Sequence, residues 1–199
     1  MIYDEFYGIA WHALKSYAGS DSLAITAIVP TAMGPVVQWK APLLARERKR
    51  KALGVVGPVA GPVILDVLTR TLAARWRTGA PHCPLDWDTQ LSIRYRRIFT
   101  KQTPATGPGW LWLWEGGAQA IVASGVPRSF KTEDMKEKFG EIRWYHQADE
   151  DCQYAEDIID AVEHLSAFVC EDCGRPGRIR KGGWLRCLCD LHAKGRPGR

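Results

Sequence analysis

The residues of this 199-residue chain whose types and spacing could do chemistry are gathered between positions 170 and 192. Cys170 and Cys173 form a C-x2-C pair, and Cys189 and His192 form a C-x2-H pair. Two ligands separated by two residues in a tight turn can direct both side chains at one ion, and four such ligands suit tetrahedral Zn²⁺. The spacing therefore predicts a zinc ribbon held by these four residues.

The second half of the motif offers three ligands for two positions, namely Cys187, Cys189 and His192. Cys189 with His192 repeats the spacing of the first pair, whereas Cys187 and Cys189 lie only two residues apart in an expected extended segment. We therefore predict Cys187 as a spare or substitute ligand. Gly174 directly follows the first pair and suits a turn that needs a positive φ.

Disulfides and a catalytic zinc ion are the alternatives to a structural zinc ion. The chain begins with an acidic pair, Asp4-Glu5, where an export signal would carry basic residues, so we expect no export signal and a reducing, cytoplasmic location. That compartment favours metal binding over disulfides. A catalytic zinc ion needs an open coordination position and a general base, and the sequence shows neither arranged here.

Basic residues form three groups that are candidates for binding nucleic acid or a nucleoprotein complex. Between positions 46 and 101 there are 12 Lys/Arg residues against 4 Asp/Glu, whereas residues 130–169 are acidic, so surfaces of opposite sign are expected. A solvated surface without a partner is the alternative. The candidates are Arg46, Arg48, Lys49, Arg50 and Lys51; Arg94, Arg96 and Arg97; and Arg178, Arg180, Lys181, Trp184 and Arg186.

The composition indicates a folded domain without a membrane-spanning segment. Hydrophobic residues make up 46% of the chain, and there are nine tryptophans, which by default belong to a core. The apolar run 52–65 contains two prolines and is 14 residues long, which is shorter than the roughly 20 residues of a spanning helix. We predict that this run is core.

Hydrophobic periodicity predicts helices and strands in the first half of the chain. Residues 3–17 fit an amphipathic helix, and residues 63–77 fit a second one with a basic outer face that includes Arg75. Residues 22–29 indicate a strand or a short buried helix that Pro30 stops, and residues 36–39 indicate a further extended segment. Residues 85–101 fit a helix or a strand.

The second half follows a boundary that we predict at the Pro- and Gly-rich segment 103–109. By periodicity alone, residues 110–114 would form a buried strand, and residues 132–138 can start a short helix. Residues 142–146 alternate as a half-buried strand. Residues 153–168 fit a helix with an apolar face that includes Tyr154 and an acidic opposite face. Outside the motif, Cys152 is predicted as a free thiol, and His146 and His164 have no partner at ligand spacing.

These elements predict an α+β protein with three regions. Residues 1–103 form a mainly helical and basic region, residues 109–168 form a small α/β region with an acidic helix, and residues 169–199 form the zinc ribbon and a basic tail.

Several motifs in the second half resemble a group of small proteins of unknown function that occur in bacteriophage and bacterial genomes. The resemblance implies a helix that starts at Gly109-Trp110, a strand signature, an acidic helix and a zinc ribbon with Cys189 and His192 as ligands. Glu141 replaces a glycine of the signature. The resemblance implies a phage or prophage origin but no activity. The matching segments are Gly109-Trp110, Lys136–Tyr145, Cys170–Gly177, Gly182–Trp184 and Leu188–His192.

Three functions follow as hypotheses. The first is a non-catalytic zinc-ribbon protein, encoded by a phage or mobile element, that binds nucleic acid or a nucleoprotein through basic surfaces in the bacterial cytoplasm. The second is a phage inhibitor that binds a host protein complex, for example a CRISPR-type defence effector. The third is a zinc-dependent enzyme, for which the sequence offers no nucleophile-base pairing, phosphate loop or catalytic metal motif.

Overall fold

The computed structural model of the protein describes residues 1–44, 59–99, 102–148 and 152–198. These residues form seven α-helices and three two-stranded antiparallel sheets, so the predicted α+β class is confirmed. In chain order the elements are α1 (Ile2–Ala13), β1 (Ala24–Thr31), β2 (Gly34–Lys40), α2 (Gly61–Arg75), α3 (Trp87–Arg94), α4 (Arg96–Phe99), α5 (Leu111–Ser124), β3 (Lys131–Lys138), β4 (Glu141–Gln147), α6 (Gln153–Ser166), β5 (Arg178–Arg180), β6 (Arg186–Leu188) and α7 (Asp190–Ala193).

Helices α2, α5 and α6 form the centre of the molecule, and α1 and the β3–β4 hairpin pack around them. One cluster of buried side chains extends from Phe6 in α1 to Val169 and Cys187 near the predicted ribbon. The segment 103–109 therefore joins two parts of the chain that share one core. Within the described ranges, no helix combines the length and the hydrophobicity needed to cross a membrane.

The run of tryptophans from Trp110 to Trp114 is helical, so the strand that its periodicity favours is wrong and the helix implied by the resemblance is right. Residues 108–110 form a 3₁₀ turn that leads into α5. Residues Leu111 to Ala118 are all buried. A helix surrounded by packing partners on every side is apolar all round, and it then cannot be distinguished from a buried strand by sequence pattern.

Three further predictions in the second half have clear outcomes. Residues 132–138 belong to strand β3, so the predicted short helix is wrong, because Thr132 and Met135 face the core and pair with β4. The predicted strand 142–146 and helix 153–168 are confirmed as β4 and α6. Tyr154 is exposed, which corrects its assignment to the apolar face of that helix.

In the first half, the strand predicted over residues 22–29 is observed as β1, which begins at Ala24 and continues through Pro30 to Thr31, so Pro30 does not stop it. Within residues 85–101 the structure places two helices, α3 and α4, with Leu91 and Ile98 buried, and no strand among the described residues of this segment. The predicted basic face of α2 is wrong for Arg75, which is only 4% exposed. The reason for its burial is an ion pair described below.

Candidate metal centre

The four predicted ligands converge on one point. The Sγ atom of Cys170 lies 3.5 Å from Nδ1 of His192, and Sγ of Cys189 lies 3.4 Å from the same nitrogen. The Sγ atoms of Cys173 and Cys189 are 3.8 Å apart. A tetrahedral zinc ion with ordinary bond lengths gives edges of about 3.8 Å between sulfurs and about 3.5 Å from sulfur to nitrogen. The four donor atoms therefore match the corners of a zinc site.

A tight turn sets the positions of the first two ligands. The backbone N–H of Gly174 donates to the carbonyl of Cys170 at 2.8 Å, and the N–H of Cys170 donates to the carbonyl of Arg175 at 2.8 Å. Gly174 has φ +71°, as the sequence predicts. The turn folds the chain so that both thiols point to the same side. We call residues 170–175 the knuckle.

The second pair of ligands comes from the start of α7. Cys189 is the N-cap residue, and the N–H of His192 donates to its carbonyl at 3.1 Å, so one helical turn brings thiol and imidazole together. Cys187 lies elsewhere. It belongs to the main core, whereas Cys170 and Cys189 pack with Leu188 and Ala193 in a separate small cluster. Cys187 is thus not a substitute ligand, and its burial raises the pKa of its thiol.

Hydrogen bonds prepare one thiol of the group for metal binding. The bond with the Cys173 thiol, helped by the Cys189 backbone and His192, lowers the pKa of Cys170 to about 4, although burial opposes this shift. The same bond and burial raise the pKa of Cys173. The thiolate is the form of cysteine that binds metal, so the lowered pKa of Cys170 favours the form that could hold a metal ion.

The knuckle is attached to the core through its own backbone. The N–H of Gly109 donates to the carbonyl of Glu171 at 2.7 Å, and the indole N–H of Trp110 donates to the carbonyl of Val169 at 2.7 Å. A Cβ atom on Gly109 would lie 2.4 Å from the carbonyl oxygen of Cys170. The backbone of the segment that precedes α5 thus contacts the backbone of the knuckle directly, with no side chain between them.

A buried ion pair also contacts the knuckle. The guanidinium of Arg75 donates from Nε and Nη2 to the Glu5 carboxylate at 3.0 and 3.1 Å, and from Nη1 to the carbonyl of Cys173 at 2.6 Å. It also lies 4.6 Å above the ring of Trp112. The indole of Trp76 donates to the same carboxylate at 2.8 Å. Through Arg75, helices α1, α2 and α5 are in this way connected to the Cys173 carbonyl of the knuckle.

Two of the arginines predicted to bind a partner form hydrogen bonds and ion pairs within the ribbon. Arg180 is 3% exposed and donates to the carbonyl of Leu188 at 3.0 Å and to Asp190 at 2.6 Å. Arg186 is paired with Glu171 and with Asp172, the latter at 2.7 Å. Burial raises the pKa of the Glu171 carboxyl, against the effect of Arg186. Both arginines therefore stabilise the strands that flank the metal group.

The other predicted binding residues occupy separate surfaces. Arg178 and Lys181 are exposed on the ribbon, where Arg178 pairs with Asp190 at 3.1 Å. Arg94 pairs with Glu115 at 2.9 Å, and its neighbours Arg96 and Arg97 are exposed. The predicted group Arg46, Arg48, Lys49, Arg50 and Lys51 lies outside the described residues.

Trp184, a predicted binding residue, is 67% exposed and lies beside the β3–β4 turn, whose Lys138 and Phe139 were not among the predicted residues. Its indole N–H donates to Glu137 in β3 at 3.1 Å. The neighbouring β3–β4 turn presents Phe139, which is 63% exposed and has φ +58°, and Lys138 lies 5.6 Å from that ring. A non-glycine residue rarely adopts this backbone conformation. We call Lys138, Phe139, Lys181 and Trp184 the tip surface.

The tip surface has a recognisable charge pattern. Within the described part of the chain, neither Lys138 nor Lys181 forms an ion pair. The nearby Glu137 is occupied, since it accepts hydrogen bonds from the Trp184 indole and from the backbone N–H of Gly140 at 2.6 Å. For Phe139, the signal in the sequence was an aromatic residue before a glycine, between two segments that proved to be paired strands.

The remaining histidines differ from each other. Nε2 of His164 lies 2.7 Å from the carbonyl oxygen of Ala13, so His164 has the structural role that was expected. His146 was expected to have no partner at ligand spacing, and its Nε2 lies 3.8 Å from Sγ of Cys152, six residues later. The six-residue separation of these two residues gave no ligand spacing in the sequence.

No known protein family, no curated protein and no solved structure matches this chain.

Proposed function

We propose that the protein is a non-catalytic, zinc-stabilised binding protein that contacts nucleic acid, alone or in a nucleoprotein complex, through the tip surface. The observation that carries the proposal is that two exposed aromatic rings, Trp184 and Phe139, lie on hairpins joined by the Trp184–Glu137 hydrogen bond. Lys138 lies over the Phe139 ring, and the exposed Lys181 precedes Trp184 by three residues. Aromatic rings stack on bases of any sequence, and lysines contact phosphates. A phage or mobile-element origin is part of the proposal and derives from the resemblance.

The zinc ion is proposed on the donor set. Three thiols and one imidazole are the ligands that zinc prefers, and their separations fit a tetrahedron. Four protein ligands leave no open coordination position, so the ion would hold the knuckle and α7 together without activating water. This argues against the zinc-dependent enzyme.

Metal analysis tests the zinc ion. The purified protein should retain about one equivalent of zinc through dialysis, and a strong chelator should unfold the ribbon, because binding energy at such a site is folding energy. Cys189→Ser should lose the metal. Cys83→Ser, which changes a thiol outside the group, should keep it. Full retention of structure in the chelated protein would contradict a structural zinc ion.

Fluorescence anisotropy with labelled single-stranded DNA and RNA tests the tip surface. Trp184→Ala should weaken binding about 5- to 150-fold. This range corresponds to a binding free energy of about 1–3 kcal/mol for one base stacked on an aromatic ring. Trp11→Ala is the matched control, since Trp11 is 56% exposed on α1. The double variant Lys138→Gln/Lys181→Gln should reduce the slope of log affinity against log salt by about 1.4.

An absence of binding at low salt, or equal losses in the two tryptophan variants, would overturn the nucleic-acid proposal.

The second candidate, an inhibitor of a host protein complex, is favoured by a different surface. Tyr3, Tyr7 and Trp11 are exposed at four-residue intervals on α1, as in aromatic-rich protein interfaces. A nuclease-resistant host partner that Trp11→Ala releases and Trp184→Ala retains would favour this candidate.

A further inference from the structure

A second group of metal-ligand side chains lies at the junction of β4 and α6. It consists of His146, the penultimate residue of β4, Cys152, the N-cap of α6, and Glu156. Sγ of Cys152 is 3.8 Å from Nε2 of His146 and 3.9 Å from Oε1 of Glu156, and the donor atoms all lie within 4.8 Å of one another. We propose that these three residues form a second zinc site, distinct from the knuckle.

The backbone supplies part of the geometry. Cys152 and Glu156 are four residues apart at the start of α6, and the N–H of Glu156 donates to the carbonyl of Cys152 at 3.0 Å. Residues at this spacing share one face of a helix, and paired ligands on helices use the same spacing. The helix thus presents a sulfur and an oxygen to one side, where β4 delivers the imidazole.

The imidazole is held in place by packing. The ring of His146 stacks on Phe130 with ring centres 5.4 Å apart and planes 19° from parallel, and Phe130 is 3% exposed. A ligand whose orientation is fixed before binding loses less entropy when the metal arrives. Nε2 is the ring nitrogen that faces the thiol.

The chemistry of the three donors selects zinc among common divalent ions. Nitrogen and sulfur ligands favour Zn²⁺ over Mg²⁺ and Ca²⁺, which require oxygen. Zinc bonds of ordinary length give edges of about 3.5 Å from the sulfur to the nitrogen and to the oxygen. The two observed separations from the sulfur, 3.8 and 3.9 Å, need to shorten by only a few tenths of an ångström. Binding deprotonates the thiol and releases one proton to solvent.

This site differs from the knuckle in its exposure. His146 and Cys152 are half-buried and Glu156 is exposed, so the fourth coordination position faces solvent. The site lies six residues along β4 from the turn residue Gly140, which contacts the ribbon at Arg186. Six extended residues span about 20 Å. A metal here would be exchangeable, whereas the closed knuckle site would retain its ion.

Cobalt titration into the zinc-loaded, dialysed protein tests the proposal. Co²⁺ should bind as about one further equivalent with a thiolate-to-cobalt charge-transfer absorption, and added Zn²⁺ should displace it. Cys152→Ser should abolish the absorption, and His146→Ala should weaken binding at least about 10-fold. Serine is a favoured N-cap residue, so Cys152→Ser leaves α6 intact. Cys83→Ser is the matched control and should behave as wild type.

A second measurement follows Cys152 directly. Zn²⁺ should protect Cys152 from alkylation by iodoacetamide, as detected by peptide mass spectrometry, and should leave the alkylation of Cys83 unchanged. Absence of a charge-transfer band, its survival in Cys152→Ser, or alkylation of Cys152 at the same rate with and without zinc would each overturn the second site. None of these results depends on whether the tip surface binds nucleic acid.

Discussion

Replacing Arg75 with alanine tests whether the knuckle depends on the helices beneath it. The change leaves the Glu5 carboxylate, which is 10% exposed at its side chain, without its cationic partner, and the carbonyl of Cys173 without its donor. Removing one member of a buried ion pair costs about 3–5 kcal/mol, because the other charge stays buried and unpaired. Arg75→Ala should therefore lose a large part of the stability of a domain of this size.

Arg70→Ala is the matched control on the same helix. Arg70 pairs with Asp66 at 2.9 Å, but the two side chains are 33% and 44% exposed, and an exposed pair of this spacing contributes only about 0.3–0.5 kcal/mol. Urea unfolding in excess zinc, followed by the fluorescence of the nine tryptophans, gives both values. Zinc loss to a chelator should be faster in Arg75→Ala and unchanged in Arg70→Ala.

Losses of stability that agree within about 0.5 kcal/mol in the two variants would refute this reasoning, since exposed pairs contribute no more than that. If Arg75→Ala does not fold, Arg75→Lys replaces it. Lysine keeps the charge but cannot supply the planar fork that contacts the Glu5 carboxylate and the Cys173 carbonyl together. The lysine variant should fold and should still be less stable than Arg70→Ala.

Two further predictions concern packing at the knuckle and pH. Gly174→Ala should destabilise the protein by about 1–3 kcal/mol more than Gly79→Ala in urea unfolding. Both glycines have a positive φ, but only a Cβ at Gly174 would meet the Trp112 ring, at 2.7 Å. Equal losses of stability in the two variants would show that backbone strain alone is responsible. Burial raises the pKa of Glu163 above its ordinary value of 4.5, so the folded state binds the proton more tightly than the unfolded state. The free energy of unfolding should therefore fall as the pH rises from 4.5 through the folded-state pKa. Glu163→Gln keeps an acceptor for the Trp144 N–H and should flatten this dependence, whereas an unchanged slope would contradict it.

The features that could be predicted from the sequence are those fixed by short-range spacing. The C-x2-C and C-x2-H pairs identify the four converging side chains, because each pair is brought together by one local turn. Helix α6 and strand β4 follow from their periodicity, since each has one buried and one wetter face.

The features that could not be predicted depend on what surrounds a segment. Residues 110–114 are buried on every side, so they carry no period that distinguishes a helix from a strand. Arg75 has the composition of a surface residue and is buried because Glu5, 70 positions earlier, supplies its partner. Cys187 has the spacing of a ligand and is drawn into the main core instead.

Two candidate sites arise only from tertiary contacts. His146 and Cys152 belong to different elements, and no local turn relates them. Phe139 gains its significance from Trp184, which the ribbon places beside the β3–β4 turn. Sequence spacing predicts neither contact, because the first requires β4 to pack against α6 and the second requires the β3–β4 hairpin to pack against the ribbon.

The contact between the segment that precedes α5 and the knuckle restricts which substitutions this protein can accept during evolution. A Cβ atom at Gly107 or Gly109 would lie 2.4 Å from the carbonyl oxygen of Glu171 or Cys170, respectively, so any larger residue would push two main chains apart. In distant relatives that retain the knuckle, a Gly-x-Gly-Trp tetrad should therefore persist upstream of the Cys-x-x-Cys-Gly pentad even where the rest has drifted. The paired tetrad and pentad provide a pattern for recognising such relatives.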